Sequence, residues 1–178
     1  MRKKMAIVLV FTALLIAPAV LGINSDNPQQ HNGIYPLTVN PSEIPGLASD
    51  LSFQATTKGL KGYSLYVVDL DDLLARAKTG SVTLDIRGRK FDLVLSPDTR
   101  TLAPGATDRP IHSFRGSVKG IPESMVALTI SDRAVFVTVW VPNEWYYLRS
   151  TKTKLDGKPV VVGYSSKDKT FKNFSYTY

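Results

Sequence analysis

The stretch from residue 114 to residue 150 constrains the fold more than any other part of the chain. It contains three apolar runs separated by short turn signals, which is typical of an antiparallel β-meander. Apolar side chains alternate with small or polar ones over residues 126–130, and valine recurs at every second position over residues 135–141. An aromatic segment over residues 144–149 follows a turn at Pro142. The pattern predicts three consecutive strands of one antiparallel sheet.

The meander also predicts which side chains form the core. Phe136 and Trp140 give the middle strand a second apolar face, so we expect this strand to be covered on both sides. The side chains expected at the centre of the core are Val126, Leu128, Val137 and Val139.

Patterns upstream of the meander add one short helix and further strands. Early acidic residues, a late basic residue and a closing glycine predict a capped helix over residues 70–78. Alternating apolar residues predict a strand over 64–68, a hairpin over 81–95 and another strand over 111–118. We therefore predict a mainly β fold, a single antiparallel β-sandwich or curled sheet with one short helix.

Chain length and local composition predict the organisation of the chain. With 178 residues, the chain is long enough for one domain with tails. Residues 1–22 are predicted to be a signal peptide, 23–62 an exposed lead-in, 63–150 the β domain, and 151–178 a basic C-terminal strand or tail. In the lead-in we expect at most one short helical turn, near residues 42–47.

The N-terminus predicts export. Arg2, Lys3 and Lys4 precede an apolar run over residues 6–21 that ends in small residues, which is the pattern of a secretory signal peptide. An uncleaved membrane anchor is the alternative, because the run approaches the length that spans a bilayer. In both cases the rest of the chain is expected outside the cytoplasm, either secreted or at the cell surface.

The charge of the chain does not indicate a nucleic-acid partner. The chain has 22 Lys and Arg against 15 Asp and Glu, and without the three basic residues of the signal its net charge is +4. Its basic residues are dispersed along the sequence, whereas nucleic-acid-binding domains concentrate them in a patch or stripe.

The sequence contains no recognisable pattern for catalysis or metal binding. It has no cysteine, which excludes disulfides, a cysteine nucleophile and thiolate metal sites. His31 and His112 lack the partners of a zinc motif, and Asp69, Asp71 and Asp72 fit helix capping better than a calcium loop. We therefore predict no enzymatic activity, no cofactor and no metal site.

Aromatic residues at the end of the meander are candidate binding residues. Trp140 and Trp145, with Tyr146 and Tyr147, would form a carbohydrate-binding platform if their rings shared an exposed face. The alternative is that these rings pack against one another across neighbouring strands.

The last eight residues supply a second candidate. Phe174, Tyr176 and Tyr178 alternate, so an extended tail would place three aromatic anchors on one side. Such a tail would add a strand to the edge of a protease cleft, with the carboxylate of Tyr178 near a zinc ion. The alternative is that the tail is the last strand of this domain.

The segment FRGSVKGIPESMVALTIS resembles the signature of the propeptide domain of reprolysin (adamalysin)-type zinc metalloproteases. With the hairpin before it and the strand EWYYLRS after it, the resemblance covers roughly residues 64–150. The residues that match the signature are Phe114, Gly116, Val118, Gly120, Ser124, Val126, Ala127 and Leu128.

The resemblance implies a propeptide-like fold and an association with a metalloprotease. The family usually carries glycine after the turn aspartate, where this chain has Arg133, and no HExxHxxGxxH sequence of a catalytic domain follows. The family's inhibitory cysteine, which binds the zinc, has no counterpart here, since the chain has no cysteine.

The sequence therefore supports several hypotheses of function. The first is a secreted, non-catalytic, propeptide-like domain that binds, inhibits or chaperones a metalloprotease. The alternative is an extracytoplasmic ligand-binding or adhesion module with the same fold. A third is the remnant of a protease gene that has lost its catalytic half.

Export makes the first testable prediction. Mass spectrometry of the mature protein should find a new N-terminus between Val20 and Asn24, because signal peptidase cleaves after small residues that follow the apolar run. Recovery of intact Met1 in the membrane fraction would show that the segment is an anchor.

Overall fold

The computed structural model describes residues 33–98 and 110–170, which form nine strands and two α-helices. The helices are α1 (Leu51–Thr57) and α2 (Leu70–Lys78), and short 3₁₀ turns cover Pro41–Glu43 and Ser166–Asp168. The strands are β1 (Ile34–Leu37), β2 (Ser64–Val68), β3 (Ser81–Ile86), β4 (Arg89–Pro97), β5 (Ile111–Val118), β6 (Ile121–Ser131), β7 (Val135–Val141), β8 (Glu144–Leu155) and β9 (Lys158–Ser165).

All nine strands belong to one antiparallel sheet. Their order is β1-β2-β9-β8-β7-β6-β5-β4-β3, and the sheet curls until it is nearly closed. The predicted mainly β fold with a curled sheet is confirmed, and so are the strand over 64–68, the helix over 70–78 and the strand over 111–118. The helix prediction was incomplete, because α1 is a second α-helix.

The inner face of the curl holds the main hydrophobic core. Alternate side chains of β3 to β8 are buried there, as the period-2 pattern predicts, and Leu73 and Ala77 of α2 pack among them. The four side chains predicted at the centre of this core are completely buried, with exposed fractions of zero: Val126, Leu128, Val137 and Val139.

The β3–β4 hairpin turns at Arg87 and Gly88, and Arg89, predicted as part of the turn, is the first residue of β4. Arg87 and Gly88 both have positive φ, at 59° and 76°, which is the backbone geometry of the turns that match the twist of a hairpin. The buried residues on the two strands are Val82, Leu84, Ile86, Phe91, Leu93 and Leu95.

Side chains close the gap between the two ends of the sheet. The hydroxyl of Tyr66, on β2, accepts a hydrogen bond of 2.9 Å from the backbone N–H of Arg87 in the β3–β4 turn. The Arg87 guanidinium in turn donates to Asp168 at 3.1 and 3.2 Å and contacts Ser64 at 3.4 Å. At the other end of these strands, α2 connects β2 to β3 and packs against the core.

A second hydrophobic cluster lies on the outer face of β2, β8 and β9. Ile44, Leu47 and Phe53, from the segment that includes α1, pack there against Leu65, Val67, Leu155, Val160, Val162 and Tyr164. The prediction of an exposed lead-in over residues 23–62 is therefore wrong for residues 34–57. Their strand, 3₁₀ turn and helix are integral parts of the domain because their apolar side chains cover the sheet.

The Asp50 carboxylate fixes this segment to the sheet. One oxygen caps α1, accepting from the N–H of Ser52 at 2.8 Å, from its hydroxyl at 2.7 Å and from the N–H of Phe53 at 3.3 Å. The other oxygen accepts from the N–H groups of Lys152 and Thr153, both at 2.7 Å, and from the Thr153 hydroxyl at 2.8 Å. Burial opposes the ionisation of Asp50, but these hydrogen bonds outweigh it and hold the pKa of the carboxyl well below its usual range.

Two glycines shape the junction of β5 and β6. A Cβ on Gly116 would lie 1.8 Å from the carbonyl oxygen of Val94, so β4 approaches β5 here more closely than any other residue allows. Gly120 has φ of +79° in the following turn. The pairing shifts between Gly116 and Val118, and there the buried Ser124 hydroxyl accepts from the N–H of Val118 at 2.7 Å.

The sheet also extends beyond the predicted domain boundary at residue 150. β8 continues to Leu155, and the run Val160–Val162, predicted as a short strand, lies within β9 in the interior of the sheet. The predicted aromatic tail over residues 171–178 lies outside the described residues.

Substitution of Gly116 and of Gly120 by alanine tests the role of each glycine in the backbone. Gly116→Ala should lower the free energy of unfolding by more than about 4 kcal/mol, because its methyl group would meet a backbone oxygen that cannot move away. Gly120→Ala should cost only about 1–2 kcal/mol, the penalty of a left-handed conformation, because no atom lies within 4 Å. Equal losses in urea denaturation would contradict the role assigned to Gly116.

The stabilisation by the Asp50 carboxylate is expected to depend on pH. At neutral pH, Asp50→Asn should cost about 2–3 kcal/mol, because an amide nitrogen replaces one oxygen that accepts three hydrogen bonds. The folded-state pKa is depressed, so this stabilisation is complete above the unfolded-state value of about 3.9 and is lost as the pH falls below it.

The matched control for Asp50 is Asp156→Asn, since Asp156 is exposed and asparagine tolerates its positive φ of 50°. Stability curves from pH 7 to pH 2.5 should show the Asp50→Asn deficit shrinking toward the acid end, with the control unchanged throughout. A deficit that is independent of pH would contradict the proposed role of the ionised carboxylate.

Candidate functional site

The outer face of β6, β7 and β8 carries a group of aromatic side chains that are exposed or half-buried. The strand register places Met125 beside Trp140 and Trp140 beside Trp145 in one row, and Phe136 beside Arg149 in another. We call this surface the outer aromatic face, and we define it by Met125, Phe136, Trp140, Trp145, Tyr147 and Arg149.

The two most exposed members of this face are apolar. Met125 is 50 % exposed and Phe136 is 46 % exposed, and on β7 the two aromatic positions are separated by the half-buried Thr138. The prediction that β7 is covered on both sides is therefore wrong, because its second face is open to solvent. Large apolar groups that cluster on an open sheet face are typical of an interaction surface.

Trp140 and Trp145 lie next to each other but do not share a plane. Their ring centroids are 6.1 Å apart, the rings are inclined by 47°, and both residues are half-buried. Tyr146, a member of the predicted platform, points instead to the inner face, where its ring packs 4.8 Å from that of Phe91. Successive residues of a strand point to opposite faces, which separates Tyr146 from Trp145 and Tyr147.

Tyr147 is surrounded by an aromatic ring and two cations. Its ring stacks on Tyr164 with centroids 4.8 Å apart and an inclination of 25°. The Arg149 guanidinium lies 5.0 Å from the Tyr147 centroid, and the Lys169 ammonium lies 4.6 Å from it. These distances are within the range of cation–π attraction, so the Tyr147 ring holds both cations at the surface.

Within the described residues, the Arg149 guanidinium donates to neutral hydrogen-bond acceptors. Nη1 donates to the carbonyl oxygens of Val137 and Leu148, at 2.5 and 3.0 Å, and Nη2 donates to the Thr138 hydroxyl at 2.9 Å. Burial lowers the pKa of the guanidinium, although an arginine remains charged in proteins. The result is a half-buried positive charge on the outer aromatic face.

An open cleft adjoins Lys169 at the end of α1. Its volume is about 340 Å³, and its lining includes Lys58, Gly59, Tyr164 and Lys169. The described residues that line it include no carboxylate. The positive character of the face therefore continues into this cleft.

The predicted chemical motifs take structural roles where they are described. Asp69 caps α2 by accepting from the N–H of Asp72 at 3.1 Å, and Asp72 pairs with Arg76 at 3.1 Å, so the capping interpretation of the acidic residues is confirmed. His112 is half-buried on β5. Within residues 33–98 and 110–170, no three His, Asp or Glu side chains come together in a group that would hold a metal ion.

The residues that carry the family resemblance lie in and around the β5–β6 hairpin. Phe114, Val118, Val126 and Leu128 are buried in the core, and Ala127 lies exposed between Val126 and Leu128. Of the remaining three, Gly116 allows the close approach of β4 to β5, and Gly120 lies in the turn between β5 and β6. The Ser124 hydroxyl accepts a hydrogen bond from the N–H of Val118. None of the eight lies on the outer aromatic face as defined.

The structure brings together two of the five predicted binding residues. Trp140 and Trp145 are neighbours on the outer aromatic face, while Phe174, Tyr176 and Tyr178 lie outside the described residues. Met125, Arg149 and Lys169 were missed as site residues. Met125 and Arg149 were detectable, because the period-2 alternation of their strands places them on the same side as Trp140 and Trp145.

Comparisons with models of protein families, with curated proteins and with solved structures found no match for this chain. The resemblance to metalloprotease propeptides therefore stays a prediction. In the part of the chain that the structure describes, no helix is both long enough and apolar enough to cross a membrane.

Proposed function

We propose that this chain is a non-catalytic, extracytoplasmic binding domain that uses the outer aromatic face to bind a protein partner. The observation that carries the proposal is the exposure of Met125 and Phe136 beside Trp140, Trp145 and Arg149. Aromatic residues, methionine and arginine are the types enriched at protein–protein interfaces, and tryptophan, tyrosine and arginine dominate their binding energy.

The ring geometry favours a protein over a carbohydrate. A sugar-binding platform presents flat aromatic faces, but the two tryptophan rings are inclined by 47° and the ring of Tyr147 is covered by Tyr164 and by cations. Met125 and Phe136 are fully apolar, and they complement apolar side chains better than sugar hydroxyls. These features support an interface that receives side chains.

The partner class that we propose is a zinc metalloprotease of the reprolysin type. The support for this class is the resemblance of residues 114–131 to the propeptide signature. Without cysteine, the domain would bind by surface contacts and not by a thiolate on the zinc. It would then inhibit or chaperone the protease by covering it.

Carbohydrate binding is the second candidate function. The adjacency of Trp140 and Trp145, with centroids 6.1 Å apart, favours it, since two neighbouring indoles can contact two sides of one sugar. In this case the domain would be an adhesion or ligand-binding module.

The protein-binding proposal predicts a loss of affinity when the face is changed. The soluble catalytic domain of a reprolysin-type zinc metalloprotease should bind the full chain in biolayer interferometry. Phe136→Ser and Trp140→Ala should each weaken binding by about tenfold or more, because removal of an interface anchor costs about 2 kcal/mol. The matched control is Val94→Ser. Val94 is 51 % exposed on β4, outside the outer aromatic face, so this substitution should change the affinity less than about twofold.

Two outcomes would contradict the proposal. Protease binding that is unchanged in Phe136→Ser and Trp140→Ala, both folded by thermal melting, would remove the outer aromatic face as the interface. Absence of protease binding, together with glycan-array binding that disappears in Trp140→Ala and Trp145→Ala, would establish the carbohydrate candidate instead.

A further inference from the structure

We infer that the partner presents an acidic segment to the outer aromatic face, with carboxylates placed on Arg149 and Lys169. This inference rests on the proposed function, since it specifies the chemistry of the protein that the face binds. The inference follows from the positive charges of Arg149 and Lys169, which carboxylates on the partner would complement.

Arg149 differs from every other arginine in the described part of the chain. The other five each lie within 4 Å of a carboxylate: Arg76 of Asp72, Arg87 of Asp168, Arg89 of Glu144, Arg115 of Asp98 and Arg133 of Asp132. Within the described residues, the hydrogen bonds of the Arg149 guanidinium go to two carbonyls and one hydroxyl, and its cation–π partner is the Tyr147 ring.

The burial of Arg149 makes the lack of a counter-ion among the described residues significant. A charge that is removed from water is costly unless an opposite charge or several hydrogen bonds compensate for it. The neutral acceptors of Val137, Leu148 and Thr138 position the guanidinium but do not neutralise it. A carboxylate from a partner would complete the site, and charge-assisted hydrogen bonds to arginine are among the strongest in proteins.

Lys169 extends the positive charge along the same surface. Its ammonium lies 4.6 Å from the Tyr147 centroid and 5.6 Å from that of Tyr164, with no carboxylate of the described chain in contact. Lys167, two residues earlier, is by contrast paired with Glu144 at 2.8 Å. Lys169 therefore leaves an ammonium available between the face and the cleft that it shares with Lys58.

The arrangement of apolar and charged groups fits an extended acidic segment with apolar residues between its carboxylates. Phe136 and Arg149 are direct neighbours across β7 and β8, so one segment would place an apolar side chain on the first and a carboxylate on the second. A sulfated polysaccharide would satisfy the cations but would leave Phe136 and Met125 against polar groups. The observations therefore favour an acidic peptide.

Three labelled peptides separate charge from apolar contact. Each has ten residues that alternate leucine with one other residue, which is glutamate, glutamine or lysine. In fluorescence anisotropy at low salt, the full chain should bind the glutamate peptide at least about tenfold more tightly than the glutamine peptide, with the lysine peptide weakest. The preference should decrease as salt rises, because exposed charges are screened.

Two variants and one control assign that preference to the site. Arg149→Gln and Lys169→Gln should each reduce glutamate-peptide affinity by about fivefold or more while leaving the glutamine peptide unchanged. Lys154→Gln removes the same charge from an exposed position of β8 and should change neither affinity more than about twofold. Lys169→Gln keeps the test independent of folding, because within the described residues the Lys169 ammonium lies against the Tyr147 and Tyr164 rings and makes no ion pair.

The outcomes distinguish this inference from the proposed function. Equal binding of the glutamate and glutamine peptides, with both lost in Phe136→Ser, would overturn the acidic segment and keep the face as a binding surface. Binding of heparin fragments but no acidic peptide, with the same dependence on Arg149 and Lys169, would overturn it in favour of a polysaccharide. Binding of neither probe would overturn the inference without bearing on the protease measurement.

Discussion

The curled sheet depends on the contacts that Tyr66 and Arg87 make across the gap between its two ends. The outer strands, β1 and β3, are not paired with each other in the described chain, so hydrogen bonds between strands do not complete the curl. The Tyr66 ring reaches the gap over Gly163, where a Cβ would lie 2.6 Å from the ring. Arg87 then joins β2 and the turn before residue 169 through Ser64 and Asp168. These side chains keep the inner core enclosed, and the opposite face of β6, β7 and β8 lies on the outside of the curl.

Local patterns predicted most of the fold, and contacts between distant residues account for what they missed. Alternation gave the strands and their buried sides, and capping gave α2, because these signals involve residues only a few positions apart. The docking of residues 34–57 was not predictable in this way. Asp50 caps α1 through residues that follow it directly in the sequence. Its other partners are Lys152 and Thr153, and nothing near Asp50 in the sequence indicates them. A Pro- and Asn-rich composition suggested exposure, while Ile44 and Leu47 became buried against strands far along the chain.

The sequence predicted where the candidate site lies, but not that it carries an arginine without a carboxylate partner in the described chain. The aromatic content of residues 136–147 indicated a binding surface, and strand parity decides which rings belong to it, excluding Tyr146. The isolation of Arg149 is a different kind of property, because it depends on which carboxylates lie near it after folding. Five other arginines find acidic partners, some of them distant in sequence, as Arg87 and Asp168 show. Sequence spacing cannot reveal that Arg149 is the one arginine of the described residues without such a partner.

The position of β9 between β2 and β8 has a consequence for how the chain acquires its structure. Ser64 pairs with Gly163, so β2, which pairs with β1 on one side, finds its second neighbour only when nearly the whole described domain is available. β3 to β8 all lie between β2 and β9 in the sequence. Pairing of strands so far apart slows folding, because the chain loses conformational entropy before the stabilising contacts form. A chain that is still emerging from a ribosome therefore has β1 but lacks β9, the second partner of β2. The strand pairing therefore places the completion of the sheet after synthesis of β9.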